Sequence, residues 1–134
     1  MFTKGQWITL GLIVIASMVL VVGCSAEQPA VATFPVGATF RAIDNQAGEF
    51  TIEYKADNTY ALTGPTHEGP ANFSGAYTVT GNQIVVKGLT CEGSDKETGT
   101  YIWNFDGSKL IFSVVKDTCY ERWRVFNYVW AKKQ

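Results

Sequence analysis

The sequence predicts an all-β domain: eight antiparallel strands in up-and-down order, closed into a barrel, behind an N-terminal apolar helix and a short tether. Three observations predict it. Past residue 36 the apolar residues recur with period two, rich in aromatic and β-branched types, as a strand with one buried face requires. Tight-turn signals fall between those runs, Gly81-Asn82 and Asp106-Gly107 being the strongest. No stretch beyond residue 36 sustains a 3.6-residue period between helix caps, so little helix is expected. Eight strands joined mostly by hairpins close naturally, because closure removes exposed edges.

The chain opens with one cation, Lys4, and an apolar run from Ile8 to Val22 that ends in Val21-Val22-Gly23-Cys24. A charged start, a short apolar stretch and a small residue before the cut form a secretory signal. A membrane-spanning helix is the alternative, but a span needs about 20 apolar residues. This run is shorter and carries Gly11 and Ser17. Its end resembles the lipobox of bacterial lipoproteins. The resemblance implies removal of residues 1–23, lipid attachment at Cys24, export, and anchorage to the cell envelope at the outer membrane or cell surface. Residues 24–35, with Pro29, Pro35 and small side chains, read as the extended tether. The folded domain is expected over 36–134.

Strands are expected near 38–44, 49–56, 59–64, 71–80, 83–88, 98–106, 109–116 and 120–131. Phe50, Ile52 and Tyr54 alternate with polar residues, and Asp57-Asn58 turns the chain into Tyr60 and Leu62. Residues 64–71, with two prolines, read as a loop. Phe73, Tyr77 and Val79 pass through Gly81-Asn82 to Ile84 and Val86, and a polar loop follows over 91–98. Tyr101, Trp103 and Phe105 turn at Asp106-Gly107 into Leu110, Phe112 and Val114. On the last strand Tyr120, Arg122, Arg124, Phe126, Tyr128 and Trp130 would share one face. Trp123, Val125 and Val129 would share the other.

Composition narrows the function. The 134 residues hold 11 basic and 12 acidic groups, and removal of Lys4 with the signal leaves ten against twelve. A nearly neutral chain of interspersed signs has no nucleic-acid footprint, and its length suits one domain, expected to be a monomer. Of three cysteines, Cys24 is committed to lipid, which leaves Cys91 and Cys119 as an even pair in an exported domain. A disulfide is the natural reading. Successive hairpins return both to one rim of the barrel. No CxxC spacing occurs, and the single histidine, His67, sits in a Gly/Pro loop, so neither a metal nor a redox pair is expected.

The run Gly99-Thr100-Tyr101-x-Trp103-x-Phe105-x-Gly107-x-x-Leu110-x-Phe112, followed by Asp117-x-Cys119-x-x-Arg122, resembles small secreted bacterial lipocalin-like domains. Asp57-Asn58-Thr59-Tyr60 and Gly75-x-Tyr77-x-Val79-x-Gly81-Asn82-x-Ile84 extend the resemblance across 36–130. It implies a calycin barrel holding a small apolar molecule, with Arg122 or Arg124 on the last strand packed near the closed end of the barrel. The opening Gly37-x-x-Phe40 lacks that family's tryptophan.

The expected function is therefore non-catalytic binding of a small apolar or amphipathic ligand. Tyr77, Tyr101, Trp103, Phe112 and Arg122 are the candidate ligand contacts. Small barrels also fill their interiors with side chains, so the plainer reading of this aromatic stripe is core; two arginines among aromatics would suit a carboxylate or phosphate head group inside the mouth, the plainer reading being an arginine packed over a ring by cation–π contact. No Gly-x-Ser-x-Gly elbow, phosphate loop or histidine cluster supports catalysis, and no cofactor is expected. The alternative function is an interaction module, a hydrolase inhibitor or envelope-assembly factor, that acts through the loops 64–71 and 91–98.

Overall fold

The computed structural model describes residues 32–134 apart from 90, 92 and 94–96. The signal, Cys24, the tether up to residue 31 and much of the 91–98 loop lie outside the described residues. The fold is a closed antiparallel barrel of eight strands in sequence order. The strands are β1 (Thr39–Asp44), β2 (Gly48–Tyr54), β3 (Thr59–Thr66), β4 (Gly69–Thr80), β5 (Gln83–Gly88), β6 (Thr98–Phe105), β7 (Lys109–Lys116) and β8 (Trp130–Lys132). One helix, α1 (Tyr120–Phe126), lies between β7 and β8.

Period two does what the sequence predicts. Phe50, Ile52 and Tyr54 of β2, Tyr60 and Leu62 of β3, and Tyr101 and Trp103 of β6 all point inward and are buried. The turns follow their residue chemistry. Asn58 and Gly81 adopt positive φ of 63° and 60°, and Gly107 one of 95°, conformations open to asparagine and glycine. Thr80 pairs with Gln83 across the two-residue turn Gly81-Asn82.

Two expectations are corrected. Residues 64–71 form no open loop: Gly64 pairs with Ala71, Pro65 with Pro70 and Thr66 with Gly69, so the hairpin extends to its tip. The prolines face each other, which confines both missing N–H donors to one rung. Second, 120–131 is not one strand. Tyr120–Phe126 is helical, and β8 keeps only three residues. Cys119 is the N-cap, its sulfur accepting from the Arg122 amide at 3.4 Å, and Glu121 and Arg124 suit the helix dipole at the first and last turns. Arg122, Val125 and Phe126, spaced i, i+3 and i+4, face inward. The two-faced strand proposed for these residues is thus replaced by a capped helix whose buried side is set by a different period.

The barrel has two unlike poles. One carries the tight turns 55–58, 81–82 and 106–108. The other carries the 45–47 and 67–68 turns, the Cys91–Cys119 disulfide with α-carbons 5.7 Å apart, and α1. Both cysteines share a rim, as the meander requires. Each mouth is stoppered by a phenyl group of the chain itself. At the disulfide pole Phe126 stacks on Tyr101 (5.1 Å) and meets Phe112 edge-on (5.2 Å). At the turn pole Phe34 packs edge-on against Tyr54 (4.9 Å) and Trp103 (5.3 Å). Phe34 reads as tether in the sequence, yet it is buried, so the packed domain begins two residues before 36. Burial of such a ring contributes about 1.5–3 kcal/mol.

Candidate functional site: the disulfide-stapled pole

The motif Asp117-x-Cys119-x-x-Arg122 builds this pole. The Asp117 carboxylate accepts from Arg122 Nε and Nη2, each at 2.7 Å, from the Cys119 amide at 2.8 Å, and from the Tyr101 hydroxyl. Arg122 Nη1 donates onward to the carbonyls of Gly88 (3.0 Å) and Glu97 (3.3 Å). One guanidinium therefore ties the start of α1 to both ends of the β5–β6 connection, and the disulfide fastens the same two segments. Both side chains are inaccessible to solvent. Such a pair persists because nearly every lone pair and proton is answered. A β-carbon at Gly99 would collide with Asp117, so the close approach of β6 requires glycine there.

Titration behaviour follows from the geometry. Burial raises the Asp117 pKa, but hydrogen bonds from Arg122, Tyr101 and the Cys119 amide outweigh it and hold the carboxyl below its ordinary range. Burial likewise opposes the charge on Arg122, and Asp117 more than offsets it. Tyr60, whose hydroxyl donates to the Lys87 carbonyl at 3.1 Å, is pushed up to about 12, mainly by burial. Across the pole Asp44 accepts from the Tyr128 hydroxyl (2.6 Å) and from the amides of Gln46 and Ala47 (both 2.8 Å). Those bonds, Tyr128's first, lower its pKa to about 2.

The five residues expected to touch a ligand are all buried. Tyr77 and Trp103 surround Phe34. The Tyr77 hydroxyl donates to the Lys55 carbonyl (2.7 Å) and Trp103 Nε1 to that of Gly81 (3.1 Å). Tyr101 and Phe112 surround Phe126. The four rings thus form two aromatic cups, each already holding a phenyl of the same chain. Arg122 lies at the rim, where Asp117 links it to the Tyr101 hydroxyl of one cup. It lies on α1 rather than the last strand, which corrects its expected placement.

The open space lies at the disulfide pole. A hollow of about 210 Å3 enters beside α1, with Phe50, Leu62, Phe73 and Val125 among its lining residues and Glu121 and Arg124 its charged ones. A shallower, more polar hollow of about 620 Å3 adjoins it over Asp44, Gln46 and His67. Pro65, Tyr120 and Arg124 line both, so the two make one groove. None of the five expected ligand contacts lines either hollow. His67 is exposed, as expected from its turn. Cys91, Cys119 and Glu121 gather three donor atoms within 4.8 Å of one another, but the two sulfurs are joined to each other.

The groove residues Tyr120, Arg124 and Val125 were not legible as a site. Their signal was the i, i+4 spacing of Tyr120 and Arg124, which places two exposed recognition-type side chains one helical turn apart. No family model, curated protein or solved structure matches the chain. Any functional reading must therefore come from the geometry.

Proposed function

We propose that this chain is an exported, Cys24-anchored, non-catalytic interaction module that holds a protein partner at its disulfide-stapled pole. The observation that carries the reading is that both mouths of the barrel are filled by Phe34 and Phe126, whereas an apolar hollow opens on the stapled rim. Small-molecule pockets run to about 300–1,000 Å3. The apolar hollow, at about 210 Å3, falls below that range and suits one inserted side chain, while the adjoining shelf of about 620 Å3 falls within it but is open and more polar. Tyr120, 63 % exposed at its edge, and Arg124 are residue types that anchor protein interfaces. Inhibition of a hydrolase and support of an envelope assembly are the two forms this role would take.

A second reading keeps a small apolar or amphipathic ligand within a lipocalin-like barrel. It draws on the Tyr54 hydroxyl, which is buried among the rings without a hydrogen-bond partner among the described residues and would donate to a ligand's oxygen. One experiment separates the two. The oxidised chain, with Cys24→Ser, carries photoreactive benzoylphenylalanine in place of Tyr120 or, as a control on the outer wall, Ser113, and is irradiated with envelope extract. The interaction reading expects a discrete protein adduct from position 120 alone, suppressed by excess unmodified chain. No adduct, together with a small-molecule mass released from the purified chain on denaturation, would overturn it in favour of the ligand.

A further inference from the structure

We propose that the outer wall formed by β7, β8 and β1 rests on an anionic phospholipid bilayer, with its apolar row at the level of the upper acyl chains and its cations among the phosphates. This role goes beyond the partner groove and does not depend on it. Register places the apolar row. Ala131 of β8 pairs with Arg41 of β1 on one side and with Lys109 of β7 on the other. Side chains two positions apart share a face of a sheet. Ile43 and Ile111 therefore stand on the outer face two residues further along, with Val129, which precedes β8, between them. All three are exposed, at 64 %, 43 % and 54 %. Val114 and Val115, where β7 slips register against β6, are exposed as well. Five of the seven large apolar side chains exposed among the described residues thus lie on or beside this seam, and clustering of that kind marks a surface that something covers.

Charge and residue type choose the occupant. The strands of this wall carry Arg41, Lys109, Lys116 and Lys132, with Lys133 just after them, and β6 alongside carries no charge. Among the described residues none of the five cations closes an ion pair. The acids of the same stretch are Asp44, at the disulfide pole and held by the Tyr128 hydroxyl and two amides, and Asp106, in the turn and held by the amides of Ser108 and Lys109. Five cations against two carboxylates leave the wall net positive, whereas strands β2–β5 carry Glu49, Glu53 and Lys87 and lean the other way. Glu49, across from Ile43, marks the limit of the patch. An anionic surface is the matching occupant. Lysine is depleted at protein interfaces, whose anchors are aromatic residues and arginine. It suits a bilayer, where its stem lies along apolar surface and its ammonium reaches the phosphates. A second copy seated here about a two-fold axis would bring the same cations together.

The test uses the full oxidised chain in lipid nanodiscs, with a nitroxide on the lipid head group and methyl resonances as readout. In discs of phosphatidylcholine with phosphatidylglycerol, the nitroxide should broaden Ile43, Ile111 and Val129 and spare Ala76 and Thr78, which are exposed on β4 across the barrel. In phosphatidylcholine alone the broadening should fall. Lys132→Gln with Lys133→Gln should lower it in the mixed discs, by about fivefold in affinity of the wall for lipid for each cation removed, while Trp103 resonances stay unchanged and report an intact fold. Equal broadening of the two walls would overturn the proposal, as would broadening that responds neither to phosphatidylglycerol nor to the two lysines. Resonances of Ile43, Ile111 and Val129 that ignore the lipid and shift only when a second copy or polyglutamate is added would overturn it in favour of that occupant. The cross-link from position 120 is independent of all these outcomes.

Discussion

The two poles of this barrel are closed by different means. The turn pole is made locally: Asp57-Asn58, Gly81-Asn82 and Asp106-Gly107 each reverse the chain within a few residues, and Phe34 fills the space between them. The disulfide pole is made at long range. Asp117, Arg122, Gly88 and Glu97 come from distant segments, and Cys91 joins Cys119 across 28 positions. Local turns close a mouth cheaply but leave little outside to recognise. The long-range lock holds a helix at the rim, and the groove opens beside that helix.

This contrast is most sharply broken at Arg122. Arg122→Ala leaves Asp117 buried without its cation and should cost about 3–5 kcal/mol in urea unfolding. Cys91→Ser should cost about 2–4 kcal/mol. Its effect on hydrogen exchange should centre on α1 and the β5–β6 connection, with the hairpin at 81–82 retaining its protection. At the other pole Phe34→Ala should cost less, about 2 kcal/mol, because a site where the chain enters admits water instead of sealing a void. Equal losses at the two poles would contradict the idea that one is locked and the other merely plugged.

The smallest effect should come from Asp44. Its folded pKa of about 2 lies below the ordinary 3.8, so its stabilisation is complete above pH 4 and drains away as pH falls toward 2. Asp117 is shifted in the same direction and adds to the same acid window. Thermal melts between pH 2 and 6 should therefore slope less in Asp44→Asn than in the unmodified chain. An unchanged slope would show that the Tyr128 bond does not persist in solution.

What could be read in the sequence divides along the same line. Seven strands, their faces and the tight turns were legible because each is encoded by neighbours: a period of two, a Gly-Asn or Asp-Gly step, a buried face. Cys91 and Cys119 were legible because hairpin counting alone returns them to one rim. The region 120–131 was not. Its Tyr, Trp, Val and Phe favour strands, and aromatics at alternate positions imitate period two. The competing signal, Arg122, Val125 and Phe126 at helical spacing, fills only two turns. What decides between them is the burial of Arg122, Val125 and Phe126 and the bonds from Arg122 to the Gly88 and Glu97 carbonyls, which exist only once the barrel has formed. The groove was hidden for the same reason. Phe34 was hidden because a single aromatic beside proline in a polar stretch carries no period at all.

The short last strand bears on how such a chain is made. β8 is the element that joins the sheet into a ring: Ala131 pairs with both Arg41 and Lys109, and the Lys133 amide bonds to the Thr39 carbonyl at 2.8 Å. A chain delivered N-terminus first therefore carries an open edge on β1 through the emergence of every other strand. That edge is satisfied only by β8 and the Lys133 amide that follows it. Until they arrive, the strands before them stand ready to pair with whatever lies beside them. A change that breaks the pairing of these few residues would leave the barrel unclosed and its first strand exposed.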